Sequence, residues 1–144
     1  MQKHLFSSQT NSPLSNFYRT DLKVWGREFH CSEQAYQFFK CHFHEDWFRV
    51  HKILHAKNAR QCYFIGKKCV TSKLWKEEKP HVMLHLLKHK FFQCPEFRAE
   101  LRKYQHCILV ENTKNHFWGR GINDCGLNTL GVLLHRVWLE CEYV

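Results

Sequence analysis

The chain has 144 residues, of which 15% are aromatic, and its formal net charge at neutral pH is +9. This length predicts one domain, residues 1–144, around one hydrophobic core. No apolar run resembles a signal peptide or reaches about 18 residues, so we expect an intracellular protein, cytoplasmic or nuclear, without a membrane span. The scattered basic residues predict a polyanionic partner, nucleic acid or a phosphate-bearing metabolite, attracted by a general positive field rather than by a defined groove.

The predicted elements begin after an N-terminal segment, residues 1–19, that is expected to be irregular. Gly26 separates residues 23–25 from residues 27–29, which predicts a small hairpin. A helix begins at Ser32, the expected N-cap. Apolar periodicity, and two prolines suited to a first helical turn, predict four more helices, at residues 45–56, 58–69, 80–92 and 95–104.

The C-terminal third of the chain contains the predicted β element and the last predicted helix. Residues 107–111 (CILVE) form a short apolar run that indicates a buried strand. Apolar residues at helical spacing then predict a last helix, with Leu127, Leu130, Leu134 and Val137 on its buried side. The predicted fold class is therefore mainly α, a compact helical domain with a small β element.

Eight cysteines and twelve histidines raise the question of a metal site. Close cysteine pairs of the C-x-x-C type are absent, and the nearest candidate, the CHFH sequence at residues 41–44, lacks a second pair. We therefore expect free, buried thiols. His81, His85 and His89 recur every four residues and are expected to form a solvated helix face. The sequence predicts neither a metal nor another cofactor.

The helix that begins at Ser32 places unlike polar groups on one face. Glu33, Gln37 and Lys40 are separated by four and three residues, so they form one stripe two turns long. Bulky aromatic residues flank the stripe. An acid, an amide and an amine in that setting could bind and cleave a polar substrate. The alternative is that Glu33 serves only the helix dipole and that Lys40 is solvated.

A glycine-bearing loop, residues 118–126, precedes the last helix. Gly119 and Gly121 would let backbone approach a ligand, and Trp118 offers a flat stacking surface. Asp124 could accept hydrogen bonds from ribose hydroxyls, and free N–H groups at Asn128 could bind phosphate. The alternative is an ordinary loop, with Asn128 as the helix N-cap and Trp118 in the core.

Seven segments, in order and spacing, resemble the NADAR (YbiA-like) family from about residue 6 to residue 140. They are residues 12–18 (SPLSNFY), 32–37 (SEQAYQ) with Lys40, Trp75 with 82–83 (VM), 90–91 (KF), 109–111 (LVE), 118–121 (WGRG) and 126–131 (GLNTLG). The resemblance implies a compact, mostly helical fold and hydrolysis of N-glycosidic bonds to ribose. The implied substrates are ADP-ribose attached to guanine bases or phosphoribosylated intermediates of riboflavin synthesis.

The resemblance also implies roles for individual residues. The family's glutamate corresponds to Glu33 and its lysine to Lys40, which in ADP-ribose-removing members forms a Schiff base with C1″ of the sugar. The implied substrate-binding residues are Asn16, Phe17, Tyr36, Trp75, Trp118, Gly119, Gly121, Asp124 and Asn128. Lys67 and Lys76 depart from the family pattern, which has arginine and an acidic residue there; the first change turns a bidentate phosphate contact into a point charge, and the second adds positive charge.

The chemistry of N-glycoside cleavage suits these assignments. Positive charge develops at the anomeric carbon, where Glu33 would act as acid/base and Lys40 as nucleophile or substrate anchor. Imine formation needs a neutral Lys40; desolvation would lower its pKa, whereas the Glu33 carboxylate would raise it. A non-catalytic domain that binds ADP-ribose, NAD or nucleic acid is the alternative from another class.

Overall fold

The computed structural model describes residues 1–143, and its elements are six α-helices and four short strands. In chain order they are β1 (Lys3–Phe6), β2 (Leu22–Val24), β3 (Arg27–Phe29), α1 (Ser32–Phe43), α2 (Trp47–His55), α3 (Ala59–Lys67), α4 (Lys73–Gln93), α5 (Pro95–Lys103), β4 (Ile108–Glu111) and α6 (Thr129–Cys141). The predicted fold class, mainly α with a small β element, is confirmed.

The strands form two separate pairs. β2 and β3 are antiparallel, and the turn between them uses positive φ at Trp25 (49°) and Gly26 (80°), as a tight hairpin requires. This hairpin was predicted. β1 pairs in parallel with β4, from Lys3 opposite Ile108 to Phe6 opposite Glu111, so the expectation of irregular structure at residues 1–19 is wrong there. β1 has only four residues, and its partner strand lies about a hundred positions away, so the local sequence gives little indication of the pairing.

Two helix starts differ from their predictions. Cys31, not Ser32, is the N-cap of α1, and its sulfur accepts a hydrogen bond from the backbone N–H of Gln34 at 3.4 Å. α4 begins at Lys73, where the Ser72 hydroxyl oxygen accepts a hydrogen bond from the backbone N–H of Trp75 at 3.2 Å. Pro80 therefore lies inside α4 rather than in its first turn. The Ser72 cap and the burial of Trp75 stabilise the turns that precede the proline.

One hydrophobic core joins these elements. α1 packs against α2, α3 and α4, while α4 and β4 pack against α6. The most completely buried side chains come from every part of the chain, and they include Phe6, Leu14, Ile53, Leu87, Phe97 and Leu130. α1 is exceptional because its buried positions include the polar residues Ser32, Glu33, Gln34, Gln37 and Lys40. Most helices bury apolar faces, so this polar burial singles out α1.

The cysteines and histidines also have defined environments. All eight cysteines are free, as predicted; six are buried, Cys107 is half-buried and Cys125 is exposed. His85 and His89 pack against the exposed ring of Trp25, with centroids 5.0 and 6.2 Å away, so they are not simply solvated. Within residues 1–143, no three His, Cys, Asp or Glu side chains are grouped as metal ligands would be. Nor does that part of the chain contain a helix with the length and apolarity to cross a bilayer.

Candidate active site

A cavity of about 690 Å³ lies where α1, α3 and α4 meet the segment that follows β4. Of the residues predicted to form the site, seven line this cavity: Asn16, Phe17, Glu33, Tyr36, Lys40, Trp75 and Trp118. Four lysines also line it, namely Lys67, Lys76, Lys79 and Lys114, and three of them are exposed to solvent. The cavity thus combines a buried polar floor with a positively charged mouth.

Glu33 is held in place from two sides. Its backbone N–H donates to the carbonyl oxygen of Asn16 at 2.9 Å, and its carboxylate accepts a hydrogen bond from Gln37 Nε2 at 2.8 Å. The side chain is only 8% exposed. Burial raises the pKa of Glu33 to about 7, although the Gln37 hydrogen bond and the charge of Lys40 both oppose the rise. Near neutral pH, this carboxyl group is therefore able to give or take a proton.

Lys40 lies one turn beyond Gln37 on the same helix and is 9% exposed. Within residues 1–143 its ammonium group forms no salt bridge. Burial is the largest influence on its pKa and lowers it, while Cys41 and then Glu33 act in the opposite direction. Two opposing effects were expected from the sequence, and desolvation is the larger in this fold. A lowered pKa increases the fraction of neutral, nucleophilic amine.

Three aromatic rings form one wall. Tyr36 lies between Trp75 and Trp118, with ring centroids 5.8 and 5.6 Å away. The ring of Phe117 packs edge-on against Trp118, and Lys79 Nζ lies 3.9 Å from the Phe117 ring centroid. Trp118 is half-buried, so part of its face is available to a ligand. This wall offers stacking surfaces beside the Glu33–Lys40 stripe.

Asn16 and Phe17 enter the site from the N-terminal segment. Asn16 Oδ1 accepts a hydrogen bond from the Ser32 hydroxyl at 2.9 Å, and its Nδ2 lies 3.4 Å from Met83 Sδ. The Asn16 side chain therefore ties the N-terminal segment to both α1 and α4. The neighbouring Phe17 ring lies 6.3 Å from the ring of Tyr63 in α3.

Three residues that line the cavity each contain a buried polar atom without a hydrogen-bond partner among the described residues. The atoms are Gln37 Oε1, Glu111 Oε2 and Thr113 Oγ1. Buried polar atoms are normally paired, because leaving one unpaired costs about 1–3 kcal/mol. The three atoms come from α1, from the end of β4 and from the segment beyond it. Three unpaired polar atoms in residues around one cavity give its lining a polar character.

Glu111 and Thr113 are absent from the residues predicted to form the site. Burial raises the pKa of Glu111 to about 7, and the negative charge of Glu33 contributes to the rise. The charge of Glu33 therefore influences the protonation of Glu111, which lines the same cavity. One signal in the sequence could have identified Glu111: it is the only charged residue of an otherwise apolar strand, and it ends that strand.

Four residues predicted to bind substrate do not line the cavity: Gly119, Gly121, Asp124 and Asn128. Asp124 is exposed, and its carboxylate accepts a hydrogen bond from Arg120 Nε at 2.6 Å. Asn128 has positive φ (52°) and does not cap α6 through its side chain. Instead, its Oδ1 accepts from the backbone N–H of Glu111 at 3.0 Å, and its Nδ2 donates to the carbonyl oxygen of Leu109 at 2.9 Å.

The loop glycines allow close packing rather than ligand approach. A Cβ at Gly119 would overlap the Thr113 hydroxyl, and a Cβ at Gly121 would lie 2.8 Å from the backbone nitrogen of Gly126. The loop therefore folds back against β4 and supports Glu111 and Thr113 from behind. Its contribution to the cavity is the Trp118 ring.

Comparison with known proteins finds similarity over nearly the whole chain. A family model described as NADAR domain matches residues 5–140. N-glycosidase YbiA of Shigella boydii is 33% identical over 132 residues, which are 89% of this chain and 80% of that protein. A riboflavin biosynthesis protein of Vibrio vulnificus is 29% identical over 90% of this chain and 35% of its own length. The NMR structure of Escherichia coli YbiA matches with a TM-score of 0.79 and 27% identity, covering 99% of this chain and 88% of that one.

Proposed function

The chain belongs to the NADAR family and is a homologue of N-glycosidases, and we propose that it hydrolyses the bond between guanine and ADP-ribose. The family resemblance inferred from the sequence motifs is confirmed. The observation that carries the proposal is the buried Glu33–Lys40 stripe on the floor of a cavity whose mouth is lined by lysines. The floor suits proton transfer and nucleophilic attack, and the mouth suits phosphate groups.

Lys40 is the proposed nucleophile. Its neutral amine attacks C1″ of the ribose, and a C–N bond to lysine forms while the bond from C1″ to the guanine nitrogen breaks. Ring opening moves one of the two protons on the lysine nitrogen to the ring oxygen and leaves a protonated imine between Lys40 and the sugar. Water then adds to the imine carbon, the C–N bond to lysine breaks, and free ADP-ribose and neutral Lys40 are restored. The lowered pKa of Lys40 supports the first step.

Glu33 is the proposed acid/base. In its protonated form it gives its proton to the departing guanine nitrogen, and the resulting carboxylate later takes a proton from the attacking water. A pKa of about 7 suits both directions of transfer. Gln37 fixes the orientation of the carboxylate through its hydrogen bond to Oε1.

Substrate binding follows the polarity of the cavity. The half-buried ring of Trp118 would stack on a planar base, with Trp75 packed behind Tyr36 as its support, and the polar side chains of Gln37, Glu111 and Thr113 line the part of the cavity that would hold the ribose. Lysines at the mouth, of which Lys76 replaces the acidic residue usual in the family, would neutralise the diphosphate. None of these roles needs a metal or a cofactor.

The test is incubation with ADP-ribosyl-guanosine, followed by chromatography for free ADP-ribose and guanosine. Lys40→Arg keeps the positive charge but forms no imine, so we expect turnover to fall by about a thousandfold or more. Lys68→Arg is the matched control, because Lys68 is exposed and does not line the cavity. Borohydride should trap a covalent adduct in the native protein and none in the Lys40→Arg variant. Native turnover by Lys40→Arg would refute the nucleophile role.

The second candidate function is cleavage of a phosphoribosylated intermediate of riboflavin synthesis. The name of the Vibrio vulnificus relative supports it. A panel of N-ribosides, with ADP-ribosylated guanine in nucleosides, DNA and RNA beside phosphoribosyl-pyrimidines, separates the two by relative kcat/KM. Tight binding of ADP-ribose or NAD without release of any base would instead identify a non-catalytic binding domain.

A further inference from the structure

A second concave surface lies outside the cavity, between α2 and α3. His51, Lys52, His55, Arg60, Gln61 and Phe64 line this shallow groove, and we call them the α2–α3 surface. The proposed hydrolysis uses none of these side chains. Lys52, Arg60 and Phe64 are exposed, so they are available to a partner.

The segment that includes α2 and α3 contains basic residues but no acidic ones. Residues 47–76 contain eight Lys and Arg but no Asp or Glu. Arg49 pairs with Asp46, which lies just before the region, whereas Lys52 and Arg60 form no salt bridge within residues 1–143. The positive charge that the sequence predicts as scattered therefore includes a run of cations along α2 and α3 of which only Arg49 is paired within residues 1–143. A polyanion is the complementary partner.

Aromatic rings accompany these cations. The Arg60 guanidinium lies 5.2 Å from the ring centroid of Phe64, which is 48% exposed. Lys52 Nζ lies 4.8 Å from the ring centroid of Phe48, which is 67% exposed. A cation beside an exposed ring suits a phosphate followed by an unpaired base, and this combination is typical of proteins that bind single strands. The bases of a duplex are stacked inside it, so a duplex would contact the cations through its phosphates but not the aromatic rings.

The α2–α3 surface and the mouth of the cavity lie on neighbouring sides of α3. Tyr63 and Lys67 of α3 line the cavity, whereas Arg60 and Phe64 of the same helix line the groove. The rings of Tyr63 and Phe64 are 5.3 Å apart. A strand bound in the groove would therefore reach the cavity along a single helix.

We propose that the α2–α3 surface binds the single-stranded nucleic acid in which the modified guanine resides. This inference rests on the proposed function, because it makes a polynucleotide, rather than a free nucleoside, the preferred substrate. The backbone phosphates contact Lys52 and Arg60, a neighbouring base stacks on Phe64, and the modified guanine enters the cavity beyond Tyr63.

The first test measures binding without any reaction. A fluorescein-labelled, unmodified single strand of about 12 nucleotides is titrated with native protein, between about 50 and 200 mM salt, by fluorescence anisotropy. Charge reversal in the double variant Lys52→Glu/Arg60→Glu should weaken binding about tenfold or more and make the log–log salt dependence shallower by about 1.4, the loss of two phosphate contacts. Phe64→Ala should weaken it about fivefold or more.

The matched control is Arg102→Glu/Lys103→Glu on α5, which changes the net charge equally at two exposed positions. It should weaken binding less than about twofold. Equal weakening by both double variants would show a general field and overturn the inference. So would native binding to a duplex, or to phosphatidylserine vesicles, that is as tight as binding to the single strand.

The second test separates this inference from the proposed function. The Lys52→Glu/Arg60→Glu variant should hydrolyse ADP-ribosyl-guanosine at the native rate but lose about tenfold in kcat/KM on the same base within a single strand. Equal kcat/KM of this variant and native protein on the modified strand overturns the inference alone. If native protein hydrolyses neither substrate, the proposed function is refuted. The anisotropy measurements then still decide whether the α2–α3 surface binds single strands.

Discussion

Replacing Glu33 by glutamine should stabilise the protein at pH 8 while it removes turnover. Burial raises the pKa of Glu33 from its ordinary 4.5 to about 7. A carboxyl group whose pKa is higher in the folded state binds its proton more tightly there. Folding stability therefore falls as the pH rises from about 4.5 to about 7, and the loss is complete above that window. A glutamine at position 33 accepts the hydrogen bond from Gln37 and has no ionised form, so the folding stability of the variant does not fall over this pH range.

The size of the effect follows from the two pKa values. A difference of about 2.5 units corresponds to about 3 kcal/mol at pH 8, since each unit is worth about 1.4 kcal/mol. At pH 5 the folded carboxyl group is already protonated, and the penalty is below about 1 kcal/mol. Removal of the Glu33 charge also relieves Glu111, whose pKa it raises, so the second carboxyl group adds to the gain in the same direction.

The assay is urea unfolding of native protein and Glu33→Gln at pH 5 and pH 8. We expect the free energy of unfolding of the variant to exceed that of the native protein by about 2–4 kcal/mol at pH 8, with little difference at pH 5. Glu77→Gln, at an exposed position of α4, removes the same charge and should change stability by less than about 0.5 kcal/mol. A Glu33→Gln protein that is no more stable at pH 8 than native protein would refute the claim that burial dominates this carboxyl group.

Three other predictions concern the same floor and its support. The kcat/KM of native protein should stop rising near pH 7, because above that pH the loss of the Glu33 proton cancels any gain in neutral Lys40; a kcat/KM that continues to rise from pH 7 to 9 would contradict this. Gly66→Ala should push the Gln37 side chain away from Glu33, because the new Cβ overlaps it. Since that hydrogen bond holds the Glu33 pKa down, the pH at which kcat/KM stops rising should increase, and an unmoved profile would argue against the contact. Asn128→Ala should cost about 1–3 kcal/mol in urea unfolding by leaving two backbone groups of β4 unpaired, compared with less than about 0.5 kcal/mol for the exposed Asn112→Ala.

The stripe on α1 could be predicted from sequence because helical spacing is a local property. Glu33, Gln37 and Lys40 share a face whatever surrounds them. Whether that face meets water or a cavity depends on α3, α4 and the segment after β4, which lie far away along the chain. The interpretations of Glu33 as a dipole residue and of Lys40 as a solvated amine were therefore equally consistent with the spacing. The burial of Glu33 and Lys40 in the fold distinguishes a stripe inside a cavity from a stripe in contact with solvent.

The missed features depend on contacts between distant segments. Glu111 reaches the cavity because β4 pairs with β1 and is held by Asn128 of the loop before α6. Asn128 is a residue type typical of N-caps and lies just before α6. Its side-chain amide instead binds two backbone groups of β4, so it is not available to cap the helix. Pro80 likewise suits a first turn, but Ser72 supplies an earlier cap. In both cases the position that the residue locally prefers, an N-cap for Asn128 and a first helical turn for Pro80, is overridden by contacts made elsewhere.

Burial of the α1 stripe also gives a physical reason for the reactive roles that we propose for Glu33 and Lys40. In water they would be a carboxylate and an ammonium, with pKa values six units apart, and neither would exchange protons near neutral pH. Burial raises the pKa of Glu33 and lowers that of Lys40, because the interior disfavours both charges. Their mutual attraction acts in the opposite direction but is weaker. The interior thus shifts the pair towards a neutral acid and a neutral amine, the two forms that the first step of the proposed glycoside cleavage requires.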